Sequence, residues 1–271
     1  PHAEAMVENG TWRKNGVAFN LLFALEKLQT RRASTVIAAT TGMFQYAQQK
    51  YGITIPRYFV KPACVDLDLF QASLSRDERL LSELNLVGKV VCVYAGKLGG
   101  IYLREEVFDF FKAATEQWGD SFRVLMLTNH ERSEIEWDCA KAGLNSQLVV
   151  SRFVAHADVP RYMALGHFAI TPVKPVATKK YCTPIKDGEY WALGLPVVIP
   201  ANISDDSDII LQHQAGAILN EFTHTEYKRT LVVIDNILKQ PEVETKNRIR
   251  NLAITYRNFN IARQIYREVY S

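Results

Sequence analysis

The sequence predicts an α/β protein built on a parallel sheet with helices on both faces. Short apolar runs rich in β-branched and aromatic residues recur along the chain, among them Lys89 to Ala95 (KVVCVYA) and Phe122 to Leu127. Between these runs lie stretches with helical apolar spacing, and that alternation implies parallel strands joined by crossover helices. The chain has 271 residues and is 48% hydrophobic, enough to bury a large core and long enough for two domains or one and a half.

Taken in order, residues 17 to 30 place Ala18, Leu21, Leu22, Leu25 and Leu28 on one helical face, and Ser34 to Ala39 reads as a strand. A helix over Met43 to Tyr51 and a strand over Arg57 to Val60 follow. The loop KPACVDLDLF then interrupts, because Pro62 and the acidic residues oppose regular structure. A polar helical segment at Arg76 to Leu84 leads into the Lys89 to Ala95 strand. Helices are expected at Glu105 to Gln117, Arg132 to Ala142 and Asp158 to Leu165. The strands after them fall at Phe122 to Leu127, Gln147 to Val150 and Phe168 to Thr171.

Cys182 to Pro196 (CTPIKDGEYWALGLP) predicts a tight turn and a helix prepared for an anion, followed by the buried strand Val197 to Ile199. Thr183 is expected as N-cap and Pro184 as the first helical residue, leaving the N–H groups of Ile185 and Lys186 for a phosphate. Lys186 puts a positive charge in the first turn, where the helix dipole disfavours it, so a nearby negative group would relieve the conflict. Glu189 is placed one turn on, toward the same cleft, and Gly194 ends the helix. The plainer reading is a well-capped surface helix.

Ligands of parallel sheets sit beyond the carboxyl ends of the strands, and that rule selects three loops. The turn Gly96-Lys97-Leu98-Gly99-Gly100 offers close backbone approach and a positive charge, but its spacing is neither a dinucleotide fingerprint nor a P-loop. In Arg152 to His156, Phe153 and Val154 could flank a flat ring, with buried packing as the alternative; His156 has no partner visible in the sequence. Pro172 to Tyr181 brings Lys174, Lys179 and Lys180 just upstream of the anion-ready helix.

Composition narrows the function classes. The formal charge of +3, with no run of five like charges, gives nucleic-acid binding no support and is compatible with weak contact to an acidic membrane surface. The four cysteines, Cys64, Cys92, Cys139 and Cys182, lack paired spacing and argue for a reducing, cytoplasmic setting. No apolar run approaches the roughly 18 residues of a membrane span, and the first residues given lack a signal peptide's charged and apolar regions. A start at Pro1 without methionine fits a fragment or processed form.

The order of VDLDLF (Val65 to Phe70), YAGKLGG (Tyr94 to Gly100), a helix containing Val159-Pro160, and TPIKDGEYWALGLPVVIP (Thr183 to Pro200) resembles the retaining GT-B glycosyltransferases. The resemblance implies two Rossmann-like domains. Residues 86–256 would be the nucleotide-sugar-binding domain and residues 1–85 the remnant of the acceptor-side domain with its linker. Residues 257–271 would be a terminal helix packing back towards the first domain. There Ile261, Ile265 and Val269 form a stripe with Ala262 and Tyr266 beside it. The earlier part of the first domain would be absent, leaving the N-terminal surface unusually apolar.

The resemblance further implies that Glu189 receives ribose hydroxyls, that Thr183, Pro184, Ile185 and Lys186 hold the distal phosphate, and that Lys97, with Gly96, Gly99 and Gly100, meets the diphosphate. Lys97 and Lys186 would then be the catalytic pair. Tyr181 stands where the family often has a carboxylate on the donor sugar, eight residues before Glu189, and Arg104 is the nearest match to a second basic residue. The implied activity is transfer of a sugar, with retention, from a nucleotide-diphosphate sugar such as a UDP-sugar, as in polysaccharide biosynthesis. The acceptor would be a sugar, a lipid-linked acceptor or a small molecule, with no cofactor and no protein-held metal. A nucleotide-sugar epimerase of the same fold and a non-catalytic nucleotide-binding module are the alternatives.

Overall fold

The computed structural model describes residues 1–71 and 76–271. The chain opens with α1 (His2–Glu8) and α2 (Val17–Arg32), then β1 (Val36–Ala38), α3 (Gly42–Tyr46), which continues as a wider turn to Tyr51, and β2 (Tyr58–Val60). After α4 (Glu78–Glu83), capped by the Asp77 carboxylate on the Leu80 N–H, the alternation becomes regular. It runs β3 (Val90–Ala95), α5 (Glu105–Trp118), β4 (Phe122–Leu127), α6 (Arg132–Ala142), β5 (Val149–Arg152), α7 (Val159–Met163) and β6 (Phe168–Ile170). Then come α8 (Ile185–Ala192), β7 (Val197–Pro200), α9 (Asp206–Gln212), β8 (Gly216–Leu219), α10 (His224–Leu238), α11 (Glu242–Tyr256) and α12 (Phe259–Tyr270).

Six strands form one parallel sheet in the order β5-β4-β3-β6-β7-β8. Side chains alternate across it, as the strand period of two requires. Val91, Val93 and Ala95 of β3 join Leu125 and Leu127 in a core shared with Trp191 of α8 and Ile249 and Leu252 of α11. Cys92 and Tyr94 point the other way, to Val124 and Met126, Phe108 and Phe111 of α5, and Leu231 of α10. Both faces are thus covered. The strand order reverses direction between β3 and β6, and a crevice opens there beyond the carboxyl ends of the strands.

β1 and β2 form a separate two-stranded parallel sheet with the pairing Val36 to Tyr58 through Ala38 to Val60. Its small buried cluster is Tyr46, Ala47 and Tyr51, with Phe23 packed against it. α2 turns Phe19 and Phe23 inward, stacked at 5.8 Å, and leaves Val17, Leu21, Leu25 and Leu28 exposed. Its leucine face, read from the spacing alone, therefore faces outward, because the larger aromatic pair takes the inner side.

The expected Gln147 to Val150 strand starts two residues late. The Asn145 side chain accepts from the Gln147 N–H at 3.0 Å, tightening residues 146–148 into a turn, and the strand then runs on through Arg152. On α12, Ala262 and Ile265 are buried while Tyr266 is exposed. Arg57 donates to the Glu268 carbonyl at 2.5 Å, and Val65 bridges to Asn258. Among the described residues no helix is long and apolar enough to cross a membrane.

Candidate functional site

The crevice is built from the end of β3 outward. The Ala95 N–H donates to the phenol of Tyr190 on α8 at 2.9 Å, and the Gly96 N–H to the Leu127 carbonyl at 3.0 Å. The chain then turns through Gly99 and Gly100 at φ +77° and +62°, which a side chain would strain. Within the turn, the Tyr94 phenol donates to the Lys97 carbonyl at 2.5 Å and the Leu98 N–H donates to His130 Nε2 at 3.0 Å. Leu98 is buried beneath, so Lys97 stands exposed on a fixed backbone.

On the other wall, α8 begins at Ile185, one residue later than the sequence suggests, with Pro184 as an extended N-cap. Thr183 does not cap it. Its hydroxyl donates to the Ala39 carbonyl at 2.9 Å, 144 positions away in the chain, leaving the first-turn N–H groups without a side-chain cap. Gly194, at φ +74°, follows the end of the helix as expected. The first-turn charge of Lys186 is met from within the helix, its Nζ lying 2.5 Å from Glu189 Oε2. Glu189 is itself 4% exposed, so this carboxylate is buried directly against the ammonium of Lys186, whose side chain stays 32% exposed.

Behind the helix start, Asp187 is wholly buried and accepts from the Thr171 hydroxyl at 2.5 Å. Burial, and the neighbouring Asp206, push its carboxyl well above the usual range. Asp206 is held on both oxygens by the buried guanidinium of Arg257, which also lies over the Trp191 ring at 5.4 Å. Asp187 is thus the member of the pair that keeps the proton.

A cleft of about 320 Å³ lies between the two walls. Gly96, Lys97 and Lys186 line its charged end; Phe153, Val154 and Val159 form an apolar side, with Thr128 and Asn129 between. Phe153 is 80% exposed, an apolar ring standing free at the mouth. Two cations beside an exposed flat ring and two polar side chains make a site suited to an anion carrying a planar group.

The structure thus brings Gly96, Lys97, Phe153, Val154 and Lys186 together, while Gly99 and Gly100 shape the turn without lining the cleft. Tyr181 does not reach it: its ring packs edge-on to Tyr46 at 5.1 Å, next to Gly42. Thr183 lines a different cavity, of about 410 Å³, which it shares with Ala39 and Asp205. Arg104 is turned onto α6, donating to both oxygens of Asp138 at 2.9 and 3.0 Å. Lys179 is buried and His156 is exposed outside the cleft. Thr128, Asn129 and His130 escape the sequence reading, although the strand-end rule that selects the other loops applies equally to the one after β4. Among the described residues, no group of three or more His, Cys, Asp or Glu is placed to hold a metal ion.

No protein-family model and no curated protein sequence matches this chain. Solved structures do. WaaG, a glycosyltransferase involved in lipopolysaccharide biosynthesis, superposes with a TM-score of 0.74 at 16% identity over 98% of this chain and 71% of that one. HepE of Anabaena in complex with UDP-glucose gives 0.69 at 20% identity, covering 94% and 68%. A glycosyltransferase from Rickettsia africae gives 0.71 at 13% identity, covering 99% and 78%. At these identities the likeness establishes the fold, and the chain has the Rossmann-like GT-B architecture.

Proposed function

We propose that this chain binds the nucleoside diphosphate of a nucleotide sugar in the cleft between the Lys97 turn and α8, and acts as a glycosyltransferase. The observation that carries the reading is the convergence of Lys97 and Lys186 with the exposed Phe153 ring in one cleft beyond the carboxyl ends of β3, β4 and β5. The lysines and the uncapped N-terminus of α8 suit the diphosphate. The Phe153 and Val154 side suits the base; Glu189 does not line the cleft and meets it only through Lys186, so a ribose role for its carboxylate rests on the motif resemblance. HepE, solved with UDP and with UDP-glucose, supports a UDP-sugar as the donor class.

In transfer, the bond from the anomeric carbon to the diphosphate breaks, and one forms to an acceptor hydroxyl whose proton leaves on the departing diphosphate. Negative charge grows on that leaving group. Lys97, Lys186 and the helix N-terminus strengthen their hold as it grows, and this is what lowers the barrier. The motif resemblance supports retention at the anomeric carbon and a sugar, lipid-linked or small-molecule acceptor, and the unpaired spacing of the four cysteines supports a cytoplasmic setting.

Calorimetric titration with UDP, GDP and ADP tests the reading. UDP should bind, and Lys97→Ala should weaken it about tenfold, the loss of one charge-assisted contact. The melting temperature should stay within about 2 °C, since Lys97 is exposed. Absence of binding by every nucleotide would overturn the assignment.

A further inference from the structure

We infer that His130 is a positioning residue for the Lys97 turn, holding the lysine's backbone in the orientation that the nucleotide-binding reading above requires. The two bonds made within the turn fall on a single peptide group. Its carbonyl, from Lys97, accepts from Tyr94; its N–H, from Leu98, donates to His130 Nε2. One end is pinned from the sheet and the other from the loop that leads into α6.

This matters because the next two residues are Gly99 and Gly100, both at positive φ. Two glycines give the turn a backbone freedom that the bonds on the preceding peptide limit. Release of the turn would let the Lys97 Cα shift and carry its side chain away from the cleft.

The imidazole is itself oriented. Nε2 accepts from a backbone N–H, so the ring proton sits on Nδ1, where it is donated to Glu134 Oε2 at 2.9 Å. Glu134 lies 3.5 Å from Arg104, which is anchored on both oxygens of the buried Asp138. Arg104, the nearest sequence candidate for a second diphosphate cation, thus contributes indirectly: it fixes the carboxylate that fixes the imidazole. His130 does not line the cleft and acts only through the turn.

The test is UDP affinity by calorimetry, with circular dichroism and melting curves as the check on folding. His130→Leu removes the acceptor and should raise the UDP Kd about tenfold. His130→Gln places an amide oxygen near the Nε2 position and should restore affinity to within about threefold of the parent. In a Lys97→Ala background, His130→Leu should change the Kd less than about twofold, because the group it positions is gone. A merely structural histidine would not show the lost additivity.

Equal UDP affinity in His130→Leu and the parent would overturn the inference, as would an undiminished effect in the Lys97→Ala background. If His130→Leu does not fold, Glu134→Ala carries the same test on a side chain 43% exposed. About threefold weaker UDP binding is then expected, and unchanged affinity overturns the inference. A parent chain that binds none of UDP, GDP and ADP overturns the nucleotide reading and this inference together; one that binds while its variants are indifferent overturns the positioning role alone.

Discussion

The two sheets of this molecule are stabilised in different ways. In the six-stranded sheet, Val91, Cys92 and Val93 of the central strand are fully buried, and a hydrophobic core covers each face. The two-stranded sheet has three residues per strand, a cluster of Tyr46, Ala47 and Tyr51, and a helix with Val17 and Leu21 87% and 61% exposed. A pair of strands is marginal by itself. This one is tied to its larger neighbour at Glu8 to Thr178, Thr41 to Asp205, Ala39 to Thr183 and Tyr46 to Tyr181. Three of those four ties land between Thr178 and Thr183, the segment that feeds α8. The large sheet supplies the cleft, and the small one steadies the loop at its edge.

Core truncations sharpen this contrast most. Trp191 is fully buried in the large core, and Trp191→Ala should cost about 3–5 kcal/mol in denaturant unfolding. Phe23→Ala, on a half-buried ring over Tyr51, should cost about 1–2 kcal/mol. Comparable losses would mean that the small sheet is as much a core as the large one.

The same division separates what the sequence makes legible from what it hides. Val90–Ala95 and Phe122–Leu127 stand out because strands buried on both faces are continuous apolar runs. Lys97, Phe153 and Val154 are found because the sheet rule points to strand ends, whatever surrounds them, and Lys186 because Pro184 and the turn before it mark a helix start. Thr183 and Tyr181 are misplaced because their partners, Ala39 and Tyr46, lie far away in the chain. Four residues of β8 are too short for periodicity to single out. α10 did carry a readable signal, since Thr223 caps it at the Glu226 N–H, and Tyr227, Leu231 and Ile234 share its buried side.

Next in size is the buried carboxyl that braces α8 from within the large unit. Asp187 holds its proton in the folded state, through burial and the adjacent Asp206, at a pH where an unfolded aspartyl has lost it. The folded value is the raised one, so the native state binds more protons than the unfolded state. The contribution is complete below the unfolded value of about 3.9 and is lost as pH rises toward the folded one. Asp187→Asn keeps the shape without the titration. Urea unfolding from pH 5 to pH 8 should show the parent losing stability relative to the variant by more than about 1 kcal/mol. Parallel curves would mean that Asp187 carries no proton.

The smallest effect expected is at the tie between the two sheets. Thr41 gives Asp205 two hydrogen bonds, from its N–H at 3.0 Å and its hydroxyl at 2.7 Å. Thr41→Val removes the hydroxyl and leaves the backbone donor, so about 1 kcal/mol or less should be lost. The more telling readout is local. If the two-stranded sheet depends on its neighbour, amide exchange should quicken at Val36 to Ala38 and at Tyr58 to Val60 while β3 and β4 keep their protection. Faster exchange in β3 as well would show the two sheets opening as one cooperative unit, and their separation would then be one of architecture and not of stability.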